Sequence, residues 1–154
     1  MITSDNTASR PAGKPDQTLL VAALQQALQV TIFHSRLRIA PRRMHQIAQQ
    51  VATAFYEFLE EQEDGESAYA FGQRLAHEGI GHHTILALID VLHHICWESA
   101  HAASGSLPAS VRYGNPLLAG YMAGREAYLL QEQERARVAL ERARRQDPNS
   151  SLKT

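Results

Sequence analysis

The organisation of this chain is decided by residues 115–145, NPLLAGYMAGREAYLLQEQERARVALERARR. Asn115-Pro116 is typical of a helix start, because asparagine caps the first turn and proline lacks an N–H that this turn leaves unpaired anyway. The helix predicted after it is apolar on nearly every side up to Leu130. It then becomes charged, with its apolar residues reduced to a narrow stripe. One helix is therefore expected to be half core element and half projecting rod.

Four more amphipathic helices are predicted ahead of this one, and nothing between them is typical of a strand. Apolar residues at three–four spacing identify them, most clearly from Met44 to Leu59. The predicted bounds are helix one after Pro15 with Asp16 as its cap, helix two from Pro41, helix three from about Glu66 to Glu78, helix four from about His83 to Ala102, and helix five from Asn115-Pro116 to about Gln146. Leu19 and Tyr69 are expected on core-facing sides, and Gly79 is expected to end helix three in the left-handed conformation. The fold class is all-α, bundle-like or globin-like, with a long C-terminal helix.

Size and composition favour a single helical domain. The chain has 154 residues, 44% of them hydrophobic, and a formal net charge of -1, which argues against nucleic acid or an anionic membrane as the main partner. We expect one domain over residues 16–146, with disordered polar tails at residues 1–15 and 147–154. No apolar run approaches the roughly 20 residues of a membrane span. Cys96 is the only cysteine, so a reducing, cytoplasmic location is expected.

No catalytic arrangement stands out, and the chain is predicted not to be an enzyme. His77-Glu78 starts like a zinc-protease motif, but Gly81 stands where the second histidine would be needed. Gly79-Ile80-Gly81 is too short for a dinucleotide-binding loop and would follow a helix instead of a strand. Nothing in the sequence pairs a carboxylate with a nucleophile in a recognisable way.

A cluster of histidines is the feature that could bind an ion. Six of the eight lie between His77 and His101. On helix four, His94, Glu98 and His101 fall on the face opposite the apolar one, at a spacing that would let them share a zinc ion. The same spacing is typical of a solvated helix face, and of a histidine patch that responds to pH or to an interface. These three interpretations stay open.

A haem site is a further alternative on helix four. His93 and Trp97 lie on the flank between the polar and apolar faces, next to His94. In this hypothesis a pocket between helices two, four and five holds haem or a small apolar molecule. A histidine beside a tryptophan is more often a packed residue, and no Cys-x-x-Cys-His attachment motif is present. We therefore predict no cofactor, with haem and zinc as the alternatives.

Two segments resemble a known class of proteins, FGQRLAHEGIG at residues 71–81 and GYMAGREAYLLQEQERAR at residues 120–137. They are similar to the helical N-terminal input domains of bacterial sensor histidine kinases and of stressosome-type anti-sigma-factor antagonists, over roughly residues 40–145. In those proteins a helical, sometimes globin-like, domain ends in a helix with a Gln-Glu-x-x-Arg-like stretch that continues into the output module. The resemblance implies a sensor or scaffold unit, usually homodimeric, without catalysis of its own and, in the stressosome relatives, without haem.

The expected function combines this resemblance with the pattern of helix five. We expect no output domain after Arg145, and hence a stand-alone regulatory or sensory module of bacterial signal transduction that acts on an unidentified signalling protein. It would form a homodimer through helices four and five, along a seam that recurs every seven residues at Met122, Leu129, Ala136 and Ala143. The residues expected at the interface are Met122, Arg125, Leu129, Glu132, Ala136 and Ala139. A ligand-binding sensor and a metal-dependent helical bundle that uses the histidines are the alternatives.

Overall fold

The structure is a computed structural model that describes residues 16–32, 39–61, 65–99 and 108–146, without the side chains of residues 97–99. Within these ranges all regular structure is helical, which confirms the all-α class and the long final helix. The five helices are α1 (Gln17–Thr31), α2 (Pro41–Glu61), α3 (Glu66–His77), α4 (His82–Ser99) and α5 (Ala109–Gln146). None of these helices is both long enough and apolar enough to cross a membrane. The tails predicted at residues 1–15 and 147–154 lie outside the described residues.

Local signals at two helix ends act as the sequence predicts. The Asp16 carboxylate caps α1 by accepting a hydrogen bond, at 2.9 Å, from the backbone N–H two residues on. Gly79 has a φ of 83° and follows the end of α3 in the left-handed conformation. The Gly79 N–H bonds the Ala76 carbonyl at 3.1 Å, and the Ile80 N–H bonds the Leu75 carbonyl at 3.2 Å. This pair of bonds is the Schellman motif, which satisfies carbonyls that a helix end leaves free.

The start of α5 differs from the prediction. The helix begins at Ala109, and Asn115-Pro116 lies within it. Proline cannot donate to the carbonyl four residues earlier, that of Arg112, which lies beside Gly65 at the start of α3. Because Gly65 has no Cβ, the proline ring packs directly on it; a Cβ there would lie 2.7 Å from Pro116 Cγ. The turns before the proline are kept helical by buried side chains, which a local start signal cannot reveal.

The core lies between the helices, and aromatic rings join α2 to α5. α1 packs against α2 and α4, α4 packs against α5, and α5 packs most extensively against α3. The Tyr113 ring of α5 contacts Phe55 and Phe58 of α2, at centroid distances of 5.2 and 5.3 Å. Two residues predicted to face the core do not, since Leu19 is 67% exposed and Tyr69 is 38% exposed. Leu19 lies off the line of buried leucines on α1, and Tyr69 meets α5 through its backbone instead of its ring.

Helices α3 and α5 run parallel and touch backbone to backbone. The contacting pairs step by four residues along both helices and are Gly65–Pro116, Tyr69–Gly120 and Gln73–Gly124. A Cβ on Gly120 would overlap the Tyr69 carbonyl oxygen, and a Cβ on Gly72 would overlap the Leu117 carbonyl oxygen. Glycine is unfavourable inside an isolated helix, so Gly72 lowers the helix propensity of the α3 sequence. The structure shows that close packing requires it.

Two tyrosines of α5 are fully buried, and they differ in their hydrogen bonds. The Tyr121 hydroxyl donates to the Ile80 carbonyl at 2.6 Å and ties α5 to the corner between α3 and α4. The Arg125 guanidinium donates to the same hydroxyl at 3.4 Å. Among the described residues, none forms a hydrogen bond with the Tyr113 hydroxyl. Burial raises the pKa of this phenol well above its usual range, so it stays protonated.

We expect Gly120→Ala to destabilise the protein, although alanine favours an isolated helix over glycine by about 1 kcal/mol. The methyl group would overlap the Tyr69 carbonyl oxygen, and neither backbone can move without separating α3 from α5. Because overpacking costs about 1–3 kcal/mol and this overlap is with backbone, urea denaturation should show a net loss of up to about 2 kcal/mol in the free energy of unfolding. Gly114→Ala is the matched control, since its Cβ would lie 3.2 Å from the movable Ile89 side chain. Equal effects of the two substitutions would contradict the packing argument.

The two buried tyrosines make a second matched pair. Tyr121→Phe should lower the free energy of unfolding by about 1–3 kcal/mol, because the buried Ile80 carbonyl loses its donor. Tyr113→Phe removes a buried hydroxyl that bonds no described residue, so stability should stay the same or rise. Chemical denaturation of both variants measures the difference. A larger loss for Tyr113→Phe than for Tyr121→Phe would show that this assignment of partners is wrong.

Candidate protein-interaction surface on helix α5

Helix α5 is anchored in the core through its first half only. Its buried residues are Ser110, Tyr113, Gly114, Leu117, Gly120, Tyr121 and Gly124. From Leu129 to Gln146 every side chain is exposed except that of Val138, which is half-buried. At 1.5 Å per residue this second half is a rod about 27 Å long. The division into a core half and a charged, projecting half therefore matches the expectation from the sequence.

An apolar seam follows the exposed side of α5. The members of this α5 seam are Met122, Leu129, Ala136, Leu140 and Ala143, whose spacings are built from threes and fours. Its three large side chains are 59% (Met122), 43% (Leu129) and 54% (Leu140) exposed. At about 100° per residue, the seam lies roughly 120° around the helix from the core-facing Leu117. A partner helix could thus cover the seam without displacing the core.

The interface residues expected from the sequence lie on this seam or along its edge. Met122, Leu129 and Ala136 belong to the seam, and Arg125, Glu132 and Ala139 line one edge of it. The sequence prediction misses Leu140, although its spacing of four from Ala136 and three from Ala143 could have identified it. It also misses Arg137, which lines the other edge.

The described outer side of α4, the other helix expected at the interface, carries one exposed large apolar side chain, Leu86. Its apolar side packs against α1 and α5 within the protomer. On its outer side His83, Asp90 and His94 are exposed, together with Leu86. Large apolar side chains are therefore aligned for a partner on α5 and not along the described outer side of α4.

Charged side chains beside the seam have partners on α5 itself. Arg137 donates to both carboxylate oxygens of Glu134, at 3.0 and 2.9 Å, and its Nη1 lies 3.6 Å from Glu141. Glu132 accepts a hydrogen bond from Arg135 at 2.9 Å. The hydrogen bond and the charge of Arg137 lower the pKa of the Glu134 carboxyl. Exposed pairs of this kind add little stability, but they hold the charges in place on each side of the seam.

The zinc ligands predicted on α4 lie partly outside the described residues. His94 is exposed on the outer side of α4. The side chain of Glu98 and the whole of His101 are not among the residues that the structure describes. Within the ranges that it does describe, no three His, Cys, Asp or Glu side chains come close enough to share a metal ion. The site formed by His94, Glu98 and His101 therefore stays a prediction.

The two histidines named in the haem alternative, His93 and His94, have different environments. Adjacent residues of a helix point about 100° apart. His94 is therefore exposed, whereas His93 is half-buried. The Nε2 atom of His93 is buried against α5, 3.5 Å from the position that a Cβ on Gly114 would take. No described residue forms a hydrogen bond with this nitrogen. The Trp97 side chain lies outside the described residues, so its predicted role stays untested.

The alternative hypothesis places a ligand pocket between α2, α4 and α5, and side chains fill the space between α2 and α5. The Tyr113 ring contacts the rings of Phe55 and Phe58 there, and each of the three is at most 2% exposed. A ligand in this position would have to displace them. The open grooves along α2 lie on its outer side and are lined largely by polar residues such as Gln46 and Gln49.

Comparisons with known proteins give no indication of function. No family model, no curated protein and no solved structure matches this chain. The likeness to sensor input domains therefore remains a resemblance of residues 71–81 and 120–137. The α5 seam is the structural feature from which a function can be proposed.

Proposed function

We propose that this protein is a non-enzymatic regulatory or sensory module of bacterial signal transduction, which works in the cytoplasm through protein–protein contacts. It pairs with a second copy of itself through the α5 seam and acts on a separate signalling protein. The observation that carries the proposal is an exposed apolar seam on a helix whose other half is fixed in the core. The resemblance of residues 71–81 and 120–137 to sensor input domains points to the same class of function.

Aligned apolar side chains provide the driving force for this pairing. Single exposed apolar residues are ordinary on protein surfaces, but Met122, Leu129 and Leu140 are exposed along one side of one helix. Full burial of an aliphatic side chain of this size stabilises by about 1.5–3 kcal/mol. Part of that gain is offset by the translational and rotational freedom that two molecules lose on association. Three large side chains among alanines therefore suit a reversible complex.

The anchoring of α5 supports a role in relaying a conformational change. Tyr121 bonds Ile80 at the corner between α3 and α4, and the backbone of α3 touches Gly120 directly. Because no side chain separates the two backbones, a displacement of α3 moves α5 as well. The α5 seam begins at Met122, on the same unbroken helix. A signal received by the body of the protein can thus reach the paired surface.

We expect the protein to sediment as a dimer, and Leu129→Glu to raise the dimer Kd by at least about tenfold, which corresponds to about 1.4 kcal/mol. The substitution places a charge in the seam, where pairing would bury it. Gln131→Glu is the matched control, because it adds the same charge to an exposed position on the far side of α5. Sedimentation equilibrium over a concentration series measures both. A wild-type protein that stays monomeric at roughly 100 μM would contradict the proposed pairing.

The regulatory role has its own readout in cells. With each variant at the native locus, the transcript profile of Leu129→Glu should match that of a gene deletion, because the protein acts as the dimer that the seam forms. The profile of Gln131→Glu should match the wild type. A dimer-deficient variant with a wild-type profile, in a strain where the deletion changes transcription, would show that regulation does not depend on the seam.

A further inference from the structure

We infer that two copies pair through the α5 seam in parallel and in register, with Glu132 of each copy facing Arg137 of the other. This inference rests on the proposed pairing through α5 and adds its orientation and the residues that set it. It follows from three features of α5: a heptad pattern on the uncovered side, the charges beside it, and the amide of Gln133 at a central a position.

The heptad pattern falls on the side of α5 that the core leaves free. In a coiled coil, the positions named a and d alternate by three and four residues and face the partner. On α5 the a positions are Ala119, Glu126, Gln133 and Leu140, and the d positions are Met122, Leu129, Ala136 and Ala143. All eight are exposed in the structure. The buried residues Leu117, Gly120, Tyr121 and Gly124 occupy other positions of the heptad, so the body does not block a second helix.

The charges beside the seam favour parallel pairing. Glu132 occupies a g position, immediately before Gln133 at an a position. Arg137 occupies an e position, immediately after Ala136 at a d position. In a parallel pair, each g residue lies near the e residue five positions further along the partner. Glu132 of one copy therefore meets Arg137 of the other, at two symmetric places. Arg137 can keep its bidentate bond to Glu134, because its Nη1 is only weakly engaged by Glu141 at 3.6 Å.

An antiparallel pair would leave these charges without partners. Reversal of one helix brings g positions to g positions and e positions to e positions. In the register that pairs Leu129 with Leu140, Glu132 then faces Ala139, and Arg137 faces Leu130. The charge pattern thus distinguishes the two orientations, whereas the apolar residues suit both.

Gln133, at an a position among the apolar residues of the α5 seam, sets the register. A single polar side chain at an a position fixes register because it is satisfied only opposite a matching partner. In the parallel, in-register pair the Gln133 amide meets its own copy and can exchange a hydrogen bond with it. Glu126 also meets its own copy, which weakens the layer nearest the body. The pairing is therefore tightest between Leu129 and Ala143.

Cysteine cross-linking tests the orientation. In a Cys96→Ala background, Glu126→Cys and Ala143→Cys are made separately, with Gln131→Cys on the far side of α5 as the control. The replacement of Cys96 removes a half-buried thiol whose pKa burial raises to about 11. In a parallel, in-register pair both variants cross-link with themselves under mild oxidation, and the control does not. Cross-linking only in an equimolar mixture of the two variants would overturn the inference, because residues 126 and 143 meet only when the helices are antiparallel.

Charge reversal tests the residues that set the orientation. Glu132→Arg and Arg137→Glu should each raise the dimer Kd by about three- to tenfold, and the double variant should return to within about twofold of the wild type. Arg142→Glu, on the far side of the helix, is the control for the change of charge that Arg137→Glu makes. A double variant as weak as the single ones overturns the Glu132–Arg137 contact. A dimer that cross-links only in the mixture leaves the proposed function intact, whereas a monomer contradicts both.

Discussion

The backbone contact between α3 and α5 is the constraint on which the rest of the structure depends. Positions without a side chain, chiefly Gly72, Gly120 and Gly124, let the two helices approach until a carbonyl oxygen occupies the space that a Cβ would need. Each glycine weakens the isolated helix in which it stands, and the packing that only glycine permits offsets that loss. The contact sets the axis of α5. It thereby sets the direction in which the second half of this helix leaves the body.

The same helix contributes to the core and presents the proposed interaction surface, because the two tasks use different sides of it. Tyr113, Leu117 and Tyr121 face the core, whereas Met122, Leu129 and Leu140 are exposed. The Tyr121 hydroxyl fixes the helix to the α3–α4 corner, one residue before the seam begins. A displacement of that corner would therefore be transmitted to the first turn of the seam. This coupling is the physical basis on which we propose a regulatory role.

Much of the fold can be predicted from the sequence, because its signals are local. The apolar faces of α2 and α4, the cap at Asp16 and the left-handed stop at Gly79 depend on residues within a few positions of each other. The seam at Met122, Leu129 and Ala136 can be predicted for the same reason. Tyr69 shows the limit, since its spacing suits a core face but its backbone makes the contact. The histidines show a second limit, because spacing alone does not distinguish a half-buried residue such as His93 from an exposed one such as His94.

The sequence by itself determined that the chain is helical, where four of the five helices begin, and that the last helix changes from apolar to charged. These properties follow from hydrogen bonds and side-chain periodicity over one or two turns. Only the tertiary structure decided that α5 starts before Pro116, that Gly72 is a packing requirement, and which side of α5 remains uncovered. Each of these depends on contacts between residues far apart in the chain, such as Gly65 with Pro116 and Tyr69 with Gly120. Local pattern carries no information about such contacts, because the space available to a side chain is set by whichever helix packs against it.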